Sequence, residues 1–152
     1  MVNIKENLWI IVILAGILGI VSIFTPTIYI SSEDASIWVW NLYVSSDIVD
    51  FVQTEEALFD LGVAATIFIT IGTFVTLFSG IVSKVKDKHL NLFAIIGGIL
   101  LLIGPIIYLG GITAEEENLW EYFTVNVGSI LPFFAGGIAI LGGVMGILKR
   151  KS

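Results

Sequence analysis

Four long runs of apolar residues constrain this chain more than any other feature of its sequence. They cover residues 8–25, 61–82, 90–112 and 125–148. About 20 helical residues are needed to cross the roughly 30 Å of hydrocarbon in a bilayer. The runs are apolar on every side, whereas strands of a membrane barrel alternate in polarity. Because helices are the other way to satisfy the backbone in lipid, the sequence predicts an all-α membrane protein with a four-helix transmembrane bundle.

The composition agrees with this prediction, since 57% of the residues are hydrophobic and only 13% are charged. The first run follows Lys5, as the apolar part of a signal peptide would, but no small-x-small cleavage site ends it. We therefore interpret it as an uncleaved span. We expect residues 1–152 to form a single four-span membrane domain with two connections, 26–60 and 113–124, on one side.

Charge is distributed unequally between the two sides of the predicted membrane domain. All seven basic residues lie at the termini or between the second and third runs: Lys5, Lys84, Lys86, Lys88, Lys149, Arg150 and Lys151. The positive-inside rule places these segments in the cytoplasm. Of the thirteen acids only Glu6 and Asp87 share that side, so the outer connections hold the other eleven and no base. The sequence thus predicts a multi-pass protein of the cell membrane with both termini cytoplasmic.

The first outer connection has the composition of β-structure. Residues 27–30 and 37–44 are rich in β-branched and aromatic side chains, and the polar segment 31–34 separates them. This pattern predicts a small extracellular β-hairpin or sheet. In one continuous strand over 37–44, Trp38, Trp40, Leu42 and Val44 would share a face.

Two further segments at this side favour short helices. Residues 47–60 are of mixed composition, and we expect a short helix there that runs into the second span. The sequence Thr113-Ala114-Glu115-Glu116 has the form of a capping box, which predicts that another helix begins in the second outer connection.

Small residues recur at helical spacing in the second and fourth runs, which favours close contact between helices. The candidate packing residues are Gly72, Gly80, Ala135, Ala139, Gly142, Gly143 and Gly146. Packing within one bundle is the favoured interpretation, and contacts between protomers are the alternative. Pro105 and Pro132 lie inside the third and fourth runs, where proline bends a helix.

The sequence offers almost nothing for catalysis. His89 is the only histidine and there is no cysteine, so no nucleophile and base can be combined. We expect no enzyme activity, no cofactor, no metal centre and no nucleic-acid partner. The spans carry no charged residue, which argues against a transport pathway within one copy. The outer acids could still bind divalent cations weakly, although nothing matches a calcium-loop spacing.

The segment Trp38-Val39-Trp40-Asn41-Leu42-Tyr43 is similar to the Gly/Asn-Leu-Trp signature of the claudin-like tetraspan superfamily, with Tyr43 in place of the tryptophan. That superfamily includes the claudins, the peripheral myelin protein group and auxiliary subunits of membrane receptors. The chain also resembles it in its four spans, long first outer loop, short basic inner turn and glycine-rich fourth span. The family follows the signature with two cysteines, whereas this sequence has Ser46 near the first position and no cysteine.

The resemblance implies a small outer sheet above a left-handed bundle, which mediates adhesion, lateral assembly or modulation of a larger complex. It also implies that Trp40, Asn41, Leu42 and Tyr43 brace the sheet against the helix ends, although the same residues suit a membrane interface without any such role. With Trp38 they are our candidate partner-contact or bracing residues.

The sequence therefore predicts a non-enzymatic tetraspan that sits in the lipid bilayer and makes protein contacts through its first outer loop. The contacts would build a homo-oligomer or a larger membrane complex. An accessory subunit of a membrane enzyme or transporter is one alternative, and an oligomeric pore is another.

Overall fold

A computed structural model of the chain describes residues 7–51, 56–86, 91–115 and 123–151. Four helices and five short strands lie in these ranges. The helices are α1 (Leu8–Phe24), α2 (Glu56–Lys86), α3 (Asn91–Glu115) and α4 (Val127–Lys151). The strands are β1 (Ile28–Ile30), β2 (Ala35–Ile37), β3 (Leu42–Val44), β4 (Val49–Phe51) and β5 (Phe123–Val125).

The four helices form an antiparallel bundle. Each helix packs against its two neighbours in the cyclic order α1, α2, α3, α4. The direction follows from the contacts of α1, in which Gly16 faces Leu77 and the later Gly19 faces the earlier Thr73. The strands lie at the end where α1 finishes and α4 begins, which we call the sheet end.

Three of the helices are long and apolar enough to cross a membrane, over Phe59–Val85, Asn91–Ala114 and Val127–Leu148. The apolar helix α1 is shorter, with 17 residues, which span about 26 Å at the usual rise per residue. The prediction of four helices is confirmed, and three of them are candidate membrane spans by length and composition.

The candidate packing residues lie in contacts between helices of this chain. Gly72 brings α2 against α3 so closely that an added Cβ would lie 2.8 Å from the Gly97 carbonyl oxygen. Gly143 likewise lies against the Asn91 carbonyl. Gly80 faces α1, Gly142 approaches Val12, and Gly146 faces the Asn91 side chain. Ala135 and Ala139 are fully buried, so the small residues allow these backbones to approach.

All five strands belong to one antiparallel sheet in the order β4-β3-β2-β1-β5. β1 pairs with β2 as Ile28 to Ile37, and with β5 as Ile28 to Val125. The buried side chains of these central strands pack on Ala65, Tyr108 and Ile112 of the bundle. The sheet therefore covers one end of the four helices.

Three local predictions were wrong. The predicted long strand over 37–44 is divided into β2 and β3, because the chain turns at Asn41, whose φ is 66°. Part of the segment predicted as a short helix, Val49–Phe51, is the strand β4. Thr113 to Glu115 end α3 instead of opening a new helix, since the apolar pattern of α3 continues through Ile112; Glu116 lies outside the described residues.

Candidate contact surface

The turn between β2 and β3 gives the two tryptophans their positions. The backbone N–H of Asn41 donates to the Trp38 carbonyl at 2.9 Å, and the N–H of Trp38 donates to the Leu42 carbonyl at 2.9 Å. Asn41 adopts the left-handed conformation that asparagine tolerates better than most residues. Trp38 and Trp40 therefore belong to a turn, and the prediction that they share a strand face with Leu42 and Val44 was wrong.

Both indoles hold the carboxyl end of α1. Trp40 Nε1 donates to the Ile23 carbonyl at 2.9 Å, and Trp38 Nε1 donates to the Phe24 carbonyl at 3.1 Å. The last carbonyls of a helix have no partner within it, so such donors satisfy groups that would otherwise be unpaired. Both side chains are half-buried, and they fix the turn of the sheet to the end of the helix.

Asn41 connects the same turn to α2. Its side chain is 2% exposed, and its Nδ2 donates to the Phe59 carbonyl at 3.0 Å. The amide packs on Gly62, where any Cβ would collide with it. Loss of this partner would leave a buried amide unpaired and destabilise the fold. Asn41 therefore holds the turn against the first part of α2.

Thr27, which precedes β1, connects the sheet to α4. The sequence did not indicate this role. Its N–H and its Oγ1 both donate to the Ile37 carbonyl at 2.8 Å. Its own carbonyl accepts from Asn126 N–H at 2.8 Å and from Ser129 Oγ at 2.7 Å. Because Ser129 is distant from Thr27 in sequence, no local pattern could have predicted this hydrogen bond.

Two tyrosines bind the acids of the turn between β1 and β2. Tyr29 OH donates to Asp34 Oδ1 at 2.7 Å, and Tyr43 OH donates to Glu33 Oε2 at 2.6 Å. In each pair the hydrogen bond to the carboxylate is the main cause that raises the pKa of the tyrosine, with desolvation second. These bonds tie the turn to the neighbouring strands, and they engage one oxygen of each acid.

Leu42 and Tyr43 point to opposite faces of β3 because successive strand residues alternate. Tyr43 is opposite Asp50 of β4, and Leu42 is opposite Phe51. The Phe51 ring also lies 6.2 Å from that of Trp40, tilted by 57°. The five candidate residues therefore separate into braces (Trp38, Trp40 and Asn41) and strand residues (Leu42 and Tyr43).

Large apolar side chains are exposed next to this braced region. Ile48 is 56% exposed, Val49 71% and Phe51 52%. Leu42 and Val44 lie beside Phe51 and Val49 on the same face and are only half-buried. We call Leu42, Val44, Val49 and Phe51 the β3–β4 patch. The candidate residues Trp38 and Trp40 are half-buried, whereas the more exposed large apolar side chains follow them in the sequence.

The described parts of the chain contain no group of three or more His, Asp or Glu side chains placed to hold a metal ion. No protein-family model matches the sequence, and no curated protein matches it.

Proposed function

We propose that the chain is a four-span protein of the cell membrane that makes protein contacts through its outer sheet, in adhesion, lateral assembly or a membrane scaffold, without enzyme activity. The observation that carries this proposal is the β3–β4 patch, which exposes large apolar side chains on a sheet held firmly to the bundle. Contiguous exposed apolar surface is typical of sites where proteins associate.

The fourth crossing is supported by the position of α1. This helix has no charged residue and lies antiparallel between α2 and α4, which are both candidate spans. Seventeen residues are at the lower limit for a membrane span. Its outward side chains are apolar, with Leu14 52% exposed. A helix packed beside two spans with an apolar outer surface fits the bilayer.

The orientation rests on charge. Lys84 lies near the end of the bundle opposite the sheet, and its Nζ is 4.5 Å from the centre of the Trp9 ring. The sheet end carries Glu33, Asp34, Asp47 and Asp50 without any base. Bases favour the cytoplasmic side, so the sheet faces outward and both termini lie inside.

The orientation is tested by labelling single cysteines on intact cells with a thiol reagent that does not cross membranes. We expect Ser46→Cys, which is exposed at the sheet end, to react. Ser83→Cys should react only after the cells are opened. Labelling in the reverse sense would contradict the proposed topology.

Membership of the claudin-like superfamily is part of this proposal, and so is the role that the resemblance gives the braces. The support is the small sheet above a four-helix bundle, in which Trp40 and Asn41 bond to the helix ends. A pore through one copy is not favoured, because Ile69, Leu101 and Ala139 are fully buried in the bundle. An accessory subunit would use the same exposed patch.

The contact function is tested by measuring the mass of the particle purified from native membranes in mild detergent. We expect a particle larger than one copy, formed with further copies or with a partner. Phe51→Ser should reduce it to one copy, because it removes the largest side chain of the β3–β4 patch. The control Phe74→Ser changes a residue that is 67% exposed on α2, and the particle should persist. A wild-type particle of one copy alone would contradict the proposal.

A further inference from the structure

The β4 strand forms one edge of the sheet, and its backbone groups can be assigned to its two sides. Ser45 N–H donates to the Ile48 carbonyl at 2.9 Å, which closes the β3–β4 hairpin. In an antiparallel pair, residues with mutual hydrogen bonds alternate with residues that have none. The backbone of Asp50 therefore points toward Tyr43, and the backbones of Val49 and Phe51 point toward the open edge.

Asp50 itself occupies one donor of that edge. Its Oδ1 accepts from the backbone N–H of Phe51 at 2.7 Å. No described strand pairs with the outer side of β4, so the Val49 N–H and C=O and the Phe51 C=O stay open to an added strand. β4 contains neither lysine nor proline, which commonly protect sheet edges, so its short length and the charge of Asp50 are the protection that it has.

The two faces of β4 differ in chemistry. Val49 and Phe51 share a face with Val44 and Leu42, whereas Asp50 lies on the other face with Tyr43. A strand added to the open edge would place alternate side chains beside these two sets. Apolar residues would complement Val49 and Phe51, and a base would complement Asp50.

The alternative occupant is a second copy of this chain. Antiparallel pairing of two β4 strands about their centres would place Asp50 opposite Asp50, and like charges directly opposite are destabilising. Each copy also brings eleven acids and no base on this side, a count that rests on the proposed topology. Charge complementarity therefore favours a basic partner over a second copy.

We propose that β4 accepts an extended segment of a basic partner protein as a sixth strand of the sheet. The segment alternates apolar residues with Lys or Arg. Its Lys or Arg side chain pairs with the Asp50 carboxylate, which then releases the Phe51 N–H. A backbone carbonyl of the segment accepts a hydrogen bond from that N–H. This inference rests on the proposed function, since it names the chemistry of the partner for the same surface.

The test uses a synthetic peptide of about nine residues, the length of an ordinary strand, in which valine and lysine alternate. Its binding to the purified full chain in neutral detergent is followed by fluorescence anisotropy at about 0.15 M salt, where distant charges are largely screened. A valine–glutamate peptide is the matched probe of opposite charge. A second control is a valine–lysine peptide in which alternate backbone amides are N-methylated. It lacks the N–H donors that a strand needs to pair with β4.

We expect only the unmethylated valine–lysine peptide to bind the wild-type chain. Asp50→Lys should weaken this binding by roughly five- to thirtyfold, because a favourable cross-strand pair becomes a repulsive one, and it should gain binding of the valine–glutamate peptide. Asp50→Asn keeps an oxygen for the Phe51 N–H and removes only the charge, so its effect should be intermediate. Asp47→Lys, the same charge change on an exposed residue outside the strand, should alter binding less than about twofold.

Equal effects of Asp50→Lys and Asp47→Lys, or equal binding of the methylated peptide, would show general charge attraction and overturn the inference. So would failure of every peptide to bind. The melting temperature of each variant is measured to show that it is folded. If no peptide binds but the native particle is still larger than one copy, the strand inference fails alone; if the particle is also a single copy, the proposed function fails with it.

Discussion

The two halves of the five-stranded sheet differ sharply in how far their side chains are exposed. In β1 and β2 the side chains of Ile28, Ile30, Ala35 and Ile37 are at most 8% exposed. In β4 all three residues are exposed, although two of them are just as apolar. The same kind of strand sequence therefore serves as a cover for the bundle in one half and as open surface in the other.

The difference arises from the polar bonds at the helix ends. Thr27 ties β1 to α4, and the indoles of Trp38 and Trp40 tie the turn after β2 to α1. Beyond Asn41 no described hydrogen bond joins the sheet to a helix, so β3 and β4 extend from the anchored half. A rigid support and a free apolar edge are what a contact surface needs, because little order has to be gained on binding.

The largest contrast is expected when one apolar side chain is shortened in each half. Ile28→Ala removes a side chain that is 1% exposed and should lower the free energy of unfolding by about 2–5 kcal/mol. Val49→Ala changes a side chain that is 71% exposed and should alter it by less than about 0.5 kcal/mol. Both are measured by denaturation in the same detergent. Similar losses for the two variants would mean that β4 is also part of the core.

The boundary between the halves can be tested at Asn41, where conformation and hydrogen bonding are separable. Asn41→Gly keeps the left-handed backbone but loses the amide bond to Phe59, and should cost about 1–3 kcal/mol. Asn41→Ala also has to adopt an unfavourable φ, which should add about 1–2 kcal/mol. The free energy of unfolding of both variants is measured by denaturation in detergent. If they were equally stable, the positive φ would not be what ends the strand.

A smaller effect is expected from the indole bonds of the anchored half. Trp40→Phe keeps an aromatic ring but removes the donor to the Ile23 carbonyl, and should lower the free energy of unfolding by about 1 kcal/mol. Trp38→Phe should cost less, because its bond to the Phe24 carbonyl is longer and exposed. Thermal unfolding of the two variants gives the comparison. No loss for Trp40→Phe would show that water replaces the indole at the end of α1.

The smallest effect concerns pH. The hydrogen bond to Glu33, followed by desolvation, raises the pKa of Tyr43 above its ordinary value of 10.0. A group whose pKa is raised on folding adds stability that is present below pH 10 and is lost as the pH rises through the folded value. Phenolate absorbance should show Tyr43 ionising above pH 10 in the wild type and nearer 10 in Glu33→Ala. A Tyr43→Phe variant identifies its signal, and an unchanged titration would contradict the assignment.

Much of the fold could be predicted from the sequence, since long apolar runs determine helices and β-branched segments determine strands. The division of 37–44 could not, because the aromatic composition favours one strand and only the turn at Asn41 interrupts it. The bond between Ser129 and Thr27 joins residues that no local pattern relates. The candidate contact residues lie next to the exposed β3–β4 patch, but aromatic content could not distinguish the bracing Trp38 and Trp40 from the exposed Phe51.

The most direct test of the contact surface is photo-crosslinking in native membranes. A photoreactive residue placed at Val49 should form adducts with another polypeptide, because β4 is the open part of the anchored sheet. The same residue at Phe78, which is 56% exposed on α2, should form adducts with lipid. Protein adducts at Val49 whose yield Asp50→Lys reduces are the predicted result, and a Val49 probe that captures no protein would contradict the account.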